Sequence, residues 1–103
     1  MTLNLGECIV DDSKILSGFF TGMYWREKFK LDDLDKQEDI INIVVPLELY
    51  SVNVSFLRGL FGLSIKELGV LKFNEKYIFD TDDLLVNCIK SGLEAVTRTI
   101  GLF

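Results

Sequence analysis

IINIVVP, residues 40–46, is a nearly unbroken β-branched run that ends at the chain's only proline. A short apolar run without alternation keeps no side for water, so it predicts a strand buried on both faces. Pro46 has no N–H to give to a ladder and marks the strand's end. Such a strand belongs at the centre of a sheet with helices on at least one side, which makes the fold class α/β.

Downstream, VNVSFLRGLFGLSIKELG (residues 52–69) predicts a helix. Asn53 and Ser55 can both cap its start, and Gly69 can stop it. On a helical wheel Phe56, Leu57, Leu60, Phe61, Leu63, Ile65 and Leu68 cover an arc of about 200°. The remaining stripe holds Arg58, Gly59, Gly62 and Lys66. Glycine costs about 1 kcal/mol in a helix interior relative to alanine, so two on one stripe require a cause. Either another backbone approaches closely there, or the stripe is a bare surface for a ligand or partner.

VLKFNEKYIFD (residues 70–80) predicts a strand, most securely in KYIFD, with Tyr77 and Phe79 on one face and Ile78 on the other. Thr81 or Asp82 then caps an amphipathic helix running to about Thr99. Its apolar arc holds Leu85, Cys88, Ile89, Gly92, Leu93 and Val96.

Upstream, TLNLGECIV around Gly6-Glu7 predicts a hairpin or an irregular strand, and DDSKILSGFFTG a loop. Residues 21–36 have helical periodicity, with Met23, Tyr24, Leu31 and Leu34 on one arc and Trp25 and Phe29 opposite. Either other parts of the fold cover Trp25 and Phe29, or the two form an exposed aromatic patch suited to a partner or a homodimer. The sequence shows no internal repeat or linker. Residues 1–103 are therefore read as one domain.

Eleven basic residues are scattered among 16 acidic ones, for a net charge of -5. Phosphate backbones and anionic membranes demand a dense cationic face, so neither is expected as a partner. No run of 18 apolar residues occurs and the first residues lack a secretory pattern, so the expected location is cytoplasmic. Cys8 and Cys88 have no metal or redox spacing and are expected as free thiols.

Histidine is absent, which removes the commonest general base and metal ligand. The carboxylates of LDDLDKQED (residues 31–39) and TDD (residues 81–83) read as solvated helix ends, although Asp82 and Asp83 would be the residues to test for metal-dependent catalysis. No glycine-rich phosphate loop is present. The expectation is a non-catalytic protein without cofactor or metal.

IVVPLELYSVNVSFLRGLFGLSIKELG (residues 43–69) and the elements after it resemble the bacterial STAS-like family of unknown function, a distant relative of anti-sigma-factor antagonists. A buried strand, an irregular link and a Ser-Phe pair opening a glycine-stopped helix carry the likeness, which extends from Gly18 onward. It implies a central mixed sheet of about four strands packed with about three helices. In the antagonists an Asp-Ser-Ser-Gly motif opens this helix and its second serine is phosphorylated. Here Asn53, Val54, Ser55 and Phe56 keep only that serine, at Ser55, and Val45 and Pro46 stand where the STAS-like family more often has an acidic residue. The implied function is a protein-interaction module with Asn53, Ser55, Arg58, Gly59, Gly62 and Lys66 as its face, and the antagonists' phosphorylated serine further implies a switch at Ser55. The alternative it implies is a sensor of a nucleotide or another small ligand.

Overall fold

Ile41 and Ile43 are fully buried and Asn42 between them is exposed. Strand β3 (Ile41–Val44) thus has one dry face, which corrects the expectation of burial on both. The apolar run contains a polar residue at the alternating position, and that residue decides which face meets water.

The computed structural model describes residues 1–9, 15–46, 49, 51–80 and 83–100. β3 is central in a parallel three-stranded sheet, between β1 (Thr2–Asn4) and β5 (Tyr77–Asp80). Leu3, Ile41, Ile43 and Tyr77 face the core, while Thr2, Asn4, Asn42 and Ile78 are exposed. Two further short strands, β2 (Ile15–Leu16) and β4 (Ser51–Val52), pair in parallel with each other. The helices are α1 (Phe19–Lys28), α2 (Leu31–Asp35), α3 (Val54–Leu68), α4 (Val70–Lys76) and α5 (Asp83–Ile100).

The α/β class holds, but a four-stranded mixed sheet with three helices does not. Among the described residues the strands divide three and two, every pairing is parallel, and there are five helices. Two backbone reversals account for the extra helices. Lys30 takes the left-handed conformation (φ 57°) between α1 and α2, and Gly69 (φ 83°) separates α3 from α4. No glycine or proline announces the first break.

The segment 70–76 is helical because its side chains need a period near four. Phe73 is buried in the core, and Lys76, three positions on, donates to the carbonyls of Gln37 (2.6 Å) and Asp39 (2.7 Å). A strand would send these two residues to opposite faces. At the other end, Asn4 accepts a hydrogen bond from the Gly6 N–H (2.8 Å) and β1 turns into a 3-10 segment, Leu5–Cys8, in place of a hairpin.

A repetition that few residues carry is present in the backbone, which corrects the expectation of no internal repeat. β2, α1, α2 and β3 are followed by β4, α3, α4 and β5 in the same order. Ile15 pairs with Ser51 and Ile41 with Tyr77, each 36 positions on. The helices follow suit: Gly18 meets Ser55, Gly22 meets Gly59, and Arg26 reaches Leu60 and Ser64. Contacts that advance together along both helices mean that α1 and α3 run parallel. Two like units therefore stand side by side, with a shared hydrophobic core that includes Phe56, Leu57, Leu60, Phe61 and Phe73.

Cys8 and Cys88 are both free; Cys8 is buried, whereas Cys88, expected on the apolar arc of α5, is exposed. Burial, and secondarily the charge of Glu7, pushes the Cys8 thiol from 9.0 up to about 12. The unfolded chain loses this proton first, so the thiol's contribution to stability is complete below pH 9 and is lost as pH rises toward 12. Denaturant midpoints should fall above pH 9, and Cys8→Ala should flatten the decline. An identical slope in that variant would contradict the burial.

Candidate functional site

Arg26 is on the buried side of α1, four positions after Gly22, and its guanidinium is almost fully enclosed. Nη1 donates to the Leu60 carbonyl (2.9 Å) and to Ser64 Oγ (2.7 Å). Nη2 donates to Asp35 Oδ2 (2.9 Å) and Asp32 Oδ1 (2.7 Å), and Nε also reaches Asp32 Oδ1 (3.1 Å). Ser64 donates to Asp35 Oδ2 (2.6 Å), and the Tyr77 hydroxyl donates to Asp35 Oδ1. Four elements, α1, α2, α3 and β5, thus converge on one carboxylate.

A charge taken out of water needs a partner and filled hydrogen-bonding positions, and this cluster supplies both. Burial, then the hydrogen bond and charge of Asp35, pushes the Tyr77 phenol well above its usual range, so it stays a neutral donor. Ser64, Tyr77 and Asp35 are sealed from solvent and only the Asp32 side chain, 75% accessible, is open. The cluster joins the two units.

The glycine stripe of α3 is not a bare face. A Cβ on Gly59 would overlap the Phe19 carbonyl oxygen, and one on Gly22 would overlap that of Phe56. Of the two causes open for Gly59, close approach of another backbone is the one observed. Gly62 is also buried, but a Cβ there would meet only Arg58 Cγ at 3.6 Å. Leu63, expected in the core arc, is 49% exposed.

Asn53 occupies the N-cap position of α3 without a side-chain capping bond. Ser55, the second residue of α3, is exposed, and its Oγ accepts from the Gly18 N–H of the α1 entrance (3.2 Å). It satisfies an amide of the neighbouring helix, not of its own. The Arg58 guanidinium lies over the Phe19 ring, 4.8 Å from its centre. Asn53, Ser55 and Arg58 therefore gather where two parallel helices begin, while Lys66 is exposed nearly three turns further along α3.

Trp25 and Phe29 are half-buried against the core, stacked obliquely on each other with 5.6 Å between ring centres. The exposed apolar face of α1 is instead Phe20 (82%), Met23 (40%) and Tyr24 (52%). Of the expected arc, Leu31 and Leu34 are buried but Met23 and Tyr24 are not, because Gly22 and Arg26 face α3 and the chain breaks at Lys30 between the two pairs.

A cleft of about 730 Å³ opens beside β5, between α4 and α5. Ile65, Phe73, Phe79 and Leu93 form its apolar lining, and Lys90, Glu94 and Arg98 its charged rim. The proposed cap residues Thr81 and Asp82, and the side chain of Asp83, lie outside the described residues, as does the side chain of Leu85. Among the described residues no three cysteine or acidic side chains converge in a metal-binding group, and no helix is long and apolar enough to cross a membrane.

The fold and its sites thus define an α/β protein of two parallel β-α-α-β units joined through a buried arginine–carboxylate cluster. Compared with protein-family models, curated proteins and solved structures, the chain matches none.

Proposed function

We propose that this chain is a non-catalytic, STAS-like protein-interaction module that meets its partner through the outer face of α1 and the adjoining helix entrances. The observation that carries the reading is the exposed apolar trio Phe20, Met23 and Tyr24 at i, i+3, i+4 spacing on one helix. Contiguous exposed apolar surface on a small protein marks contact with another molecule. The STAS-like part of the reading rests on the order β3, β4, α3, β5, α5 alone.

The switch proposed at Ser55 gains support from the parallel helices. A phosphate on this exposed hydroxyl would stand beside the positive ends of α1 and α3, and it would displace the hydrogen bond from Gly18. That change would alter the entrance to the α1 face directly.

The test is isolation of the chain from its native host, followed by native mass spectrometry. A co-isolating protein, or a second copy, should be lost in Phe20→Asp/Tyr24→Asp at unchanged melting temperature, since exposed positions tolerate substitution to within about 0.5 kcal/mol. Ser55→Asp should weaken the same complex. Retention of every partner by the double variant would sink the reading.

A further inference from the structure

We infer that the cleft beside β5 binds a small monoanionic amphiphile, a free carboxylate with an apolar body. The cleft lies where the repetition stops. β3 has a strand on each side, whereas β5 has none on its outer side among the described residues. α5 packs chiefly on α3 and leaves the space beside β5 and α4 open. A third unit would fill that space.

The floor has a fixed shape, because Phe73 and Phe79 both pack edge-on against Phe61, at 5.4 and 5.7 Å between ring centres. It is apolar, and the cleft volume of about 730 Å³ falls in the usual range for small-molecule sites. The rim is on α5, where Lys90, Glu94 and Arg98 follow at four-residue spacing along one face. None of the three makes an ion pair among the described residues.

Two cations and one carboxylate leave a single positive charge over an apolar floor, in a chain whose net charge is -5. A cationic head group would meet Lys90 and Arg98, and a dianion would bring its second charge against Glu94. One negative charge at the end of an apolar body complements both parts of the cleft. The site is independent of the α1 face, so either can fail alone.

Decanoate, titrated into the full chain below its micellar concentration and followed by ¹H–¹⁵N correlation spectra, is the direct test. Shifts should saturate at one equivalent and be confined to residues 65, 70–79 and 90–98. The exposed-site double variant Lys90→Glu/Arg98→Glu should bind decanoate at least about tenfold more weakly, while its affinity for decanol stays within about twofold. Decyltrimethylammonium should bind the wild-type chain more weakly than decanoate and regain affinity in the variant. Absence of saturable shifts, shifts centred on α1, or undiminished decanoate binding by the double variant would each overturn the assignment.

Discussion

Asp35→Ala is expected to destabilise the chain by about 3–5 kcal/mol, because removing one member of a buried ion pair leaves the other charge uncompensated. The side chain is buried and accepts from Arg26, Ser64 and Tyr77 together. Its loss leaves two buried hydroxyls without their acceptor and Arg26 with only the exposed Asp32 as counter-charge. Total stabilities of about 5–15 kcal/mol are usual for domains, so the variant would approach unfolding at room temperature.

Two companions separate the carboxylate's role from a general sensitivity of the region. Asp32→Ala should cost less than about 1 kcal/mol, since its partner-facing carboxylate is solvated. Replacing the whole cluster with apolar residues, Arg26→Met/Asp35→Leu/Ser64→Ala/Tyr77→Phe, should recover much of the loss, because no buried charge or hydroxyl then remains unpaired. Urea midpoints of the three variants decide the matter. An Asp35→Ala midpoint equal to wild type would mean that the cluster does not hold the units together.

The cluster was not legible in the sequence, and the reason is physical. Its members come from α1, α2, α3 and β5, and no local pattern links them. A signal existed in each helix: Arg26 shares a stripe with Gly22, and Ser64 stands among Leu60, Phe61 and Ile65, so each is a polar residue on a buried side. Hydropathy treats such residues as breaks in an arc and turns the arc away from them. Periodicity alone therefore groups Met23 and Tyr24 with Leu31 and Leu34, although only the two leucines are buried.

Elements whose own residues determine their ends were read well. Gly69 stops α3 with positive φ, and Tyr77, Ile78 and Phe79 alternate as a half-buried strand should. β3 was correctly placed at the sheet centre, although its second face is open. The repetition stayed hidden because backbone pairing carries it and few residues do. Phe19 and Phe56, Gly22 and Gly59, and Leu31 and Leu68 are among the identities at a spacing of 37. Of these, only the glycine pair lies where side chains larger than hydrogen are excluded from both helices.

That pair gives the sharpest contrast between neighbouring substitutions. Gly59→Ala should destabilise by about 3 kcal/mol, at the upper end of overpacking costs, because the added Cβ meets main chain and no side chain can swing aside. Its nearest atoms are the Phe19 carbonyl oxygen, which it overlaps, and the Met23 nitrogen at 2.9 Å. The gain in helix propensity, about 1 kcal/mol, is too small to offset this. Gly62→Ala, less than one turn away, should gain most of that propensity, since its Cβ meets only the flexible Arg58 side chain at 3.6 Å. Urea midpoints should therefore move in opposite directions, down for Gly59→Ala and up for Gly62→Ala. If both variants were stabilised, α1 and α3 would not be in backbone contact, and the parallel pairing of the two units would lose its closest point.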